Sequence, residues 1–124
     1  MSFNDILAIV KSVILKNYVN FEGRANRPEF WWFFLFNFII GAILSCLGKA
    51  GVWFSSAWSI AILLPQLGLG ARRLHDINKS GWWLLLGLIP IVGWIILIYW
   101  WAQPGDTAEN QYGPVPETPT AENN

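Results

Sequence analysis

Charge is scarce in this sequence, and beyond Lys79 positive charge is absent. Asp, Glu, Lys and Arg make up only 13% of the 124 residues, against about 25% in soluble domains. A chain this poor in charge and 54% hydrophobic has the composition of one mostly immersed in lipid. Cys46 is the sole cysteine, which excludes an internal disulfide and a cysteine-based metal site. His75 is the sole histidine, and one imidazole with scattered carboxylates is a poor metal set. Eight basic residues balance eight acidic ones, so no net field draws nucleic acid. A signal-peptide pattern is lacking: there is no basic start, short apolar core or small-x-small site near residue 20. The first membrane helix is therefore expected to act as an uncleaved anchor. No glycine-rich phosphate loop, Ser/His/Asp constellation or cofactor motif is present, and no residue is assigned a catalytic role.

What the chain does have is long apolar runs. Residues 1–20 read as an amphipathic helix. Phe3, Ile6, Leu7, Val10, Val13, Ile14 and Tyr18 recur at helical spacing, and Lys11 and Lys16 keep the segment from spanning. It is expected to lie flat at the membrane interface, with packing on the bundle as the alternative. Asn26 and Glu29 resemble a capping box, with Pro28 in the first turn. Three apolar runs follow, at about 29–47, 52–70 and 82–101, each near the ~20 residues that cross a bilayer. Gly41 with Ser45 and Ala57 with Ala61 are small-xxx-small pairs suited to helix contacts. Pro65 should kink the second run and free a backbone carbonyl. Pro90 should bend the third, whose ends carry Trp82-Trp83 and Trp100-Trp101 as aromatic belts. Residues 103–124 are polar and lack basic side chains. They are expected to be disordered, with a local turn at Gln111-Tyr112-Gly113-Pro114. The fold class is thus all-α: a membrane bundle of three transmembrane helices (21–102) with an N-terminal amphipathic helix.

Basic residues set the expected topology. Lys11, Lys16, Arg24 and Arg27 precede the first run, and Arg72, Arg73 and Lys79 lie between the second and third; only Lys49 falls elsewhere. The positive-inside rule then favours a cytoplasmic N-terminus, three spans and a periplasmic C-terminus. A re-entrant pair formed by the first two runs, or insertion of the N-terminal helix, would move the tail to the other side.

Three separated motifs occur in order. Phe21-Glu22-Gly23-Arg24-Ala25-Asn26-Arg27-Pro28-Glu29-Phe30-Trp31 is similar to an F-x-G-R-x-x-R-x-E-[FY]-W pattern. Arg72-Arg73-Leu74-His75-Asp76 with Ser80-Gly81-Trp82-Trp83 is similar to R-R-L-H-D…S-G-W-W. Asn110-Gln111-Tyr112-Gly113-Pro114-Val115-Pro116 is similar to N-x-[YF]-G-P-x-P, with Gln111 standing where Arg is usual. Together they resemble the bacterial inner-membrane family known as domain of unknown function 805, over about residues 17–116. The resemblance implies an inner-membrane location and supplies no activity.

Arg24, Arg27, Glu29, Arg72, Arg73, His75, Asp76 and Lys79 would converge at one membrane boundary. Basic residues alone would serve as topological anchors. The interleaved Glu29 and Asp76 point instead to a paired network, since an isolated carboxylate near lipid is costly. Such a cluster could also bind an anionic lipid headgroup or a partner. The function expected is a non-enzymatic structural, regulatory or lipid-binding membrane module, self-associating as a homo-oligomer. The alternatives are an oligomeric transporter or channel lined by the Ser- and Gln-bearing second run, and an enzyme acting on an anionic lipid headgroup.

Overall fold

The computed structural model describes residues 2–119. The expected all-α membrane bundle is what forms. Helix α1 spans Phe3–Lys11 and widens into one π turn over Ser12–Lys16. Helices α2 (Arg27–Ser45) and α3 (Lys49–Asp76) are long and apolar enough to cross a membrane. At 1.5 Å per residue they measure about 28 and 42 Å. The longer helix therefore overshoots a ~30 Å hydrocarbon core, and its C-terminal turns carry the polar residues. The turn between them runs through Gly48 at φ 64°. Asn37, the polar break in the first run, accepts a 2.7 Å hydrogen bond from Trp58 Nε1 of α3. The Gly41/Ser45 pair makes no helix contact: a Cβ on Gly41 would meet open space, and the Ser45 hydroxyl bonds Ala42 of its own helix.

The third run differs most from expectation. It is not one spanning helix. A 3-10 helix covers Gly81–Leu88, the chain turns at Ile89–Ile91, and α4 (Val92–Ala102) runs back. Each leg is about 16 Å long, half a bilayer core. Both ends lie together: the Trp83 and Trp100 rings are 5.6 Å apart and Lys79 Nζ sits 4.7 Å over Trp100. Pro90 does more than bend the run. Its carbonyl accepts from Val92 N at 2.7 Å across Ile91, whose φ of 66° and ψ of −67° define a γ-turn. The legs touch at Gly93, where a Cβ would come within 1.7 Å of the Leu86 carbonyl oxygen. The single helix expected over 82–101 is thereby corrected to a hairpin of two short helical legs. The start of α2, the end of α3 and both feet of the hairpin share one end of the bundle.

The N-terminal segment packs on the bundle and does not stand apart from it. Ile9 and Val13 are fully buried, and Val13 joins Ala25, Phe30, Phe33 and Leu69 in the core, while Phe3, Leu7 and Leu15 stay exposed. Pro65 cannot donate to the Ala61 carbonyl, and the Tyr18 hydroxyl takes that oxygen at 2.6 Å. The freed carbonyl foreseen from sequence is thus satisfied by the segment preceding α2.

Candidate functional site

The site is built where α3 ends. Asn78, at φ 61°, takes the left-handed position after the helix; Lys79 N reaches the Leu74 carbonyl and Asn78 N the His75 carbonyl. This Schellman closure fixes Arg72, Arg73, His75 and Asp76 on the last turn. Opposite, Gly23 (φ 87°) turns the chain so that Ala25 N bonds the Arg72 carbonyl at 3.0 Å. Asn26 caps α2 by accepting from Glu29 N at 3.1 Å. The other half of the expected capping box does not form, because the Glu29 carboxylate turns to Arg72 at 3.0 Å.

Three ion pairs result. Arg24 meets Asp76 at 2.9 Å, Arg73 meets Asp76 at 3.1 Å and Arg72 meets Glu29 at 3.0 Å, with all five side chains at most 5% exposed. Five of the eight residues singled out from sequence are therefore buried and paired, as an Arg24–Asp76–Arg73 triad and an Arg72–Glu29 pair. Three guanidiniums face two carboxylates, leaving an excess of one positive charge; Arg72 Nε and Nη2 and Arg73 Nε have no hydrogen-bond partner among the described residues. His75 is buried beside the network and bonds the Gly23 carbonyl through Nδ1 at 2.8 Å. Arg27 is exposed. Lys79 lies over Trp100, outside the network.

Sequence reasoning missed the other half of the site, which is the tail. Residues 103–119 were expected to be disordered; they pack on the cluster, while the same expectation for 120–124 falls outside the described residues. Arg24 Nη2 donates to the Asp106 carbonyl at 2.7 Å, and its Nη1 donates to those of Ala108 and Gly113 at 2.9 and 3.0 Å. Arg73 donates to the Gln103 carbonyl. Asp106 N satisfies the Asp76 carbonyl at 2.7 Å, a group that a helix C-terminus otherwise leaves orphaned, and Asn110 Nδ2 adds a second donor to the His75 carbonyl at 3.0 Å. Asn110 and Gly113 close the expected turn, and the Tyr112 ring stacks on His75 at 3.9 Å and 3°. Gly105 allows the close approach, since a Cβ there would lie 1.9 Å from Asp76 Oδ2. Further along, Thr118 Oγ1 accepts from Asn26 Nδ2 at 2.7 Å. The physical reason is stoichiometric: Arg24 has five N–H donors, and Asp76 engages only part of that fork.

A helical membrane bundle closed at one end by a buried ionic clasp is the class this fold and site define. The chain belongs to the family described as "Protein of unknown function (DUF805)", which matches residues 18–114. It is 42% identical over 112 residues to "Inner membrane protein YhaH" of Escherichia coli (strain K12), covering 84% of this chain and 93% of that one. It is 43% identical over 108 residues to "Inner membrane protein YhaI" of the same strain, covering 84% and 92%. "Uncharacterized protein YiiR" of that strain is 31% identical over 86 residues, covering 67% and 57%. No solved structure matches the chain.

Proposed function

We propose that this protein is a non-enzymatic structural module of the bacterial inner membrane, seated on anionic lipid headgroups, with both termini in the cytoplasm. The names of its relatives YhaH and YhaI support the location. The carrying observation is the clasp: its two carboxylates are committed to guanidiniums that also hold the tail. Its side chains thereby join α2, α3, the hairpin and the tail into one end-piece. Seven of the eight basic residues precede or begin α2, sit in the last turns of α3, or lie between α3 and the hairpin, which supports a cytoplasmic orientation of that end. The excess buried positive charge, with exposed Arg27 and partly exposed Lys79, suits that end to anionic headgroups. Self-association would run along α3, where Ser56, Ser59 and Gln66 are exposed and would otherwise meet hydrocarbon.

Reporter fusions after Asn124 test the orientation. A cytoplasm-only fluorescent protein should fluoresce there and a periplasm-only phosphatase should be inactive; the opposite pair of results overturns the reading. For the headgroup part, unfolding is compared in nanodiscs of phosphatidylglycerol and phosphatidylcholine. The anionic lipid should raise the melting temperature, and the Arg27→Ala/Lys79→Ala double variant should lose most of that rise. Equal melting in both lipids removes the headgroup role.

A further inference from the structure

Outside the charged clasp, α3 and the 3-10 leg of the hairpin diverge and leave a groove of about 690 Å³. That volume is within the ~300–1,000 Å³ of small-molecule sites. We propose that it binds a single-chain lipid with a neutral hydroxyl head, whose chain lies along Leu67, Leu84, Leu85 and Leu88 and whose hydroxyl donates to His75 Nε2.

The groove's own composition argues for an amphiphile. Its polar side chains, His75, Ser80 and Tyr112, come from the clasp end of the bundle, and the leucines extend along the leg. Trp82, Leu85 and Leu88 are 79%, 57% and 79% exposed, so the occupant enters from the bilayer. An eight-residue 3-10 helix reaches about 16 Å down, the depth of one leaflet of a ~30 Å core. A single acyl or prenyl chain therefore fits without crossing the midplane.

The head is specified by His75. No Asp, Glu, Lys or Arg lines the groove, so a charged head there would be desolvated without a partner. His75 is 8% exposed, and its Nδ1 lies 2.8 Å from the Gly23 carbonyl. A carbonyl only accepts, so Nδ1 carries the proton and the neutral ring presents Nε2 as an acceptor. Nε2 has no partner among the described residues and points toward the groove wall at Gly81, where a Cβ would stand 3.5 Å from it. Stacking on Tyr112 fixes the ring plane, so the acceptor is preorganised. Ser80 Oγ already accepts from Trp82 N at 3.2 Å, which leaves its O–H as a donor in the same groove. An acceptor at His75 Nε2 and a donor at the Ser80 hydroxyl, both lining one groove, are the complement of an alcohol.

The test uses full-length protein in phosphatidylcholine nanodiscs and hexadecanol carrying a mid-chain diazirine, with crosslinks mapped by peptide mass spectrometry. Label is expected on α3 around Leu67–Ala71 and on the 3-10 helix. Unlabelled hexadecanol should compete about tenfold better than hexadecane or palmitate, the worth of one hydrogen bond. Leu85→Trp, which fills the groove from a lipid-exposed position, should abolish groove labelling while the protein melts as the wild type does. His75→Phe keeps an aromatic stack and should erase the alcohol's advantage over the alkane. Equal competition by hexadecane in the wild type overturns the proposal. So does preference for palmitate or phosphatidylglycerol, full labelling of Leu85→Trp, or the absence of groove label.

Discussion

Arg24→Ala removes the side chain that ties the two ends of the chain to α3. Arg24 lies 52 residues from Asp76 and more than 80 from its tail acceptors, so it closes long loops at both ends of the chain. Its side chain is 1% exposed. Breaking a buried ion pair from one side costs about 3–5 kcal/mol, because the partner charge is left uncompensated. Here Asp76 keeps Arg73 at 3.1 Å, which places the loss near the lower figure. The tail carbonyls of Asp106, Ala108 and Gly113 lose a charged donor, and they recover hydrogen bonds only by lifting into water. The variant should therefore relieve itself by releasing the tail before the bundle melts.

Chymotrypsin reads this directly, because Tyr112 is held face-on against His75. In the fast-opening regime, cleavage follows the open population. A loss of ~3 kcal/mol then corresponds to roughly a hundredfold faster cut after Tyr112. Arg24→Lys should fall between, since an ammonium keeps the charge and loses the fork. If Arg24→Ala is cut after Tyr112 at the wild-type rate and melts at the wild-type temperature, the clasp does not hold the tail and the reasoning fails.

Three further variants probe the remaining joints. Gly93→Ala forces a Cβ against the Leu86 carbonyl, 1.7 Å away; it should cost about 3 kcal/mol or more, and the near-ultraviolet circular dichroism of the Trp83–Trp100 pair should collapse. Tyr18→Phe strands the Ala61 carbonyl freed by Pro65 and should lower stability by about 1–3 kcal/mol in thermal unfolding, whereas a wild-type melt would show that lipid or water satisfies that oxygen. Ile91→Gly removes a β-branched residue from φ 66° and should raise stability by about 1 kcal/mol, the strain relieved less the chain entropy of glycine; a fall in melting temperature would mean the turn is held by the isoleucine side chain.

The helices and the polar cluster were legible because each rests on a local pattern. Apolar run length identified α2 and α3, and Glu29 and Asp76 among arginines announced ion pairs that the structure forms at 2.9–3.1 Å. The hairpin was hidden because hydropathy records where apolar residues lie and not whether the chain turns back among them. Two legs of half a bilayer have the same hydropathy as one span. Pro90 was the available signal, since it divides the run into segments each too short to cross. The tail was misread for a different reason. Its composition supplies too little apolar surface to fold alone, and it needs none. It is ordered by carbonyls offered to Arg24 and by Asn110 and Asp106 capping α3, contacts made with residues far away in sequence.

The same fact explains how the side of the tail escaped the charge count. Basic residues vote on topology, and after Lys79 there are none, so a crossing third run and a returning one score equally under the positive-inside rule. The tail's backbone carries the missing information: the carbonyls of Gln103, Asp106, Ala108 and Gly113 accept from Arg73 and Arg24. A tail placed on the far side would leave Arg24 with Asp76 alone and take the Asp106 N–H from the Asp76 carbonyl. Returned to the near side, it supplies acceptors for the guanidinium and donors for the helix end. The hairpin and the clasp therefore require one another: the half-depth turn at Pro90–Ile91 delivers Gln103 to Arg73, and the clasp holds the returning leg in place.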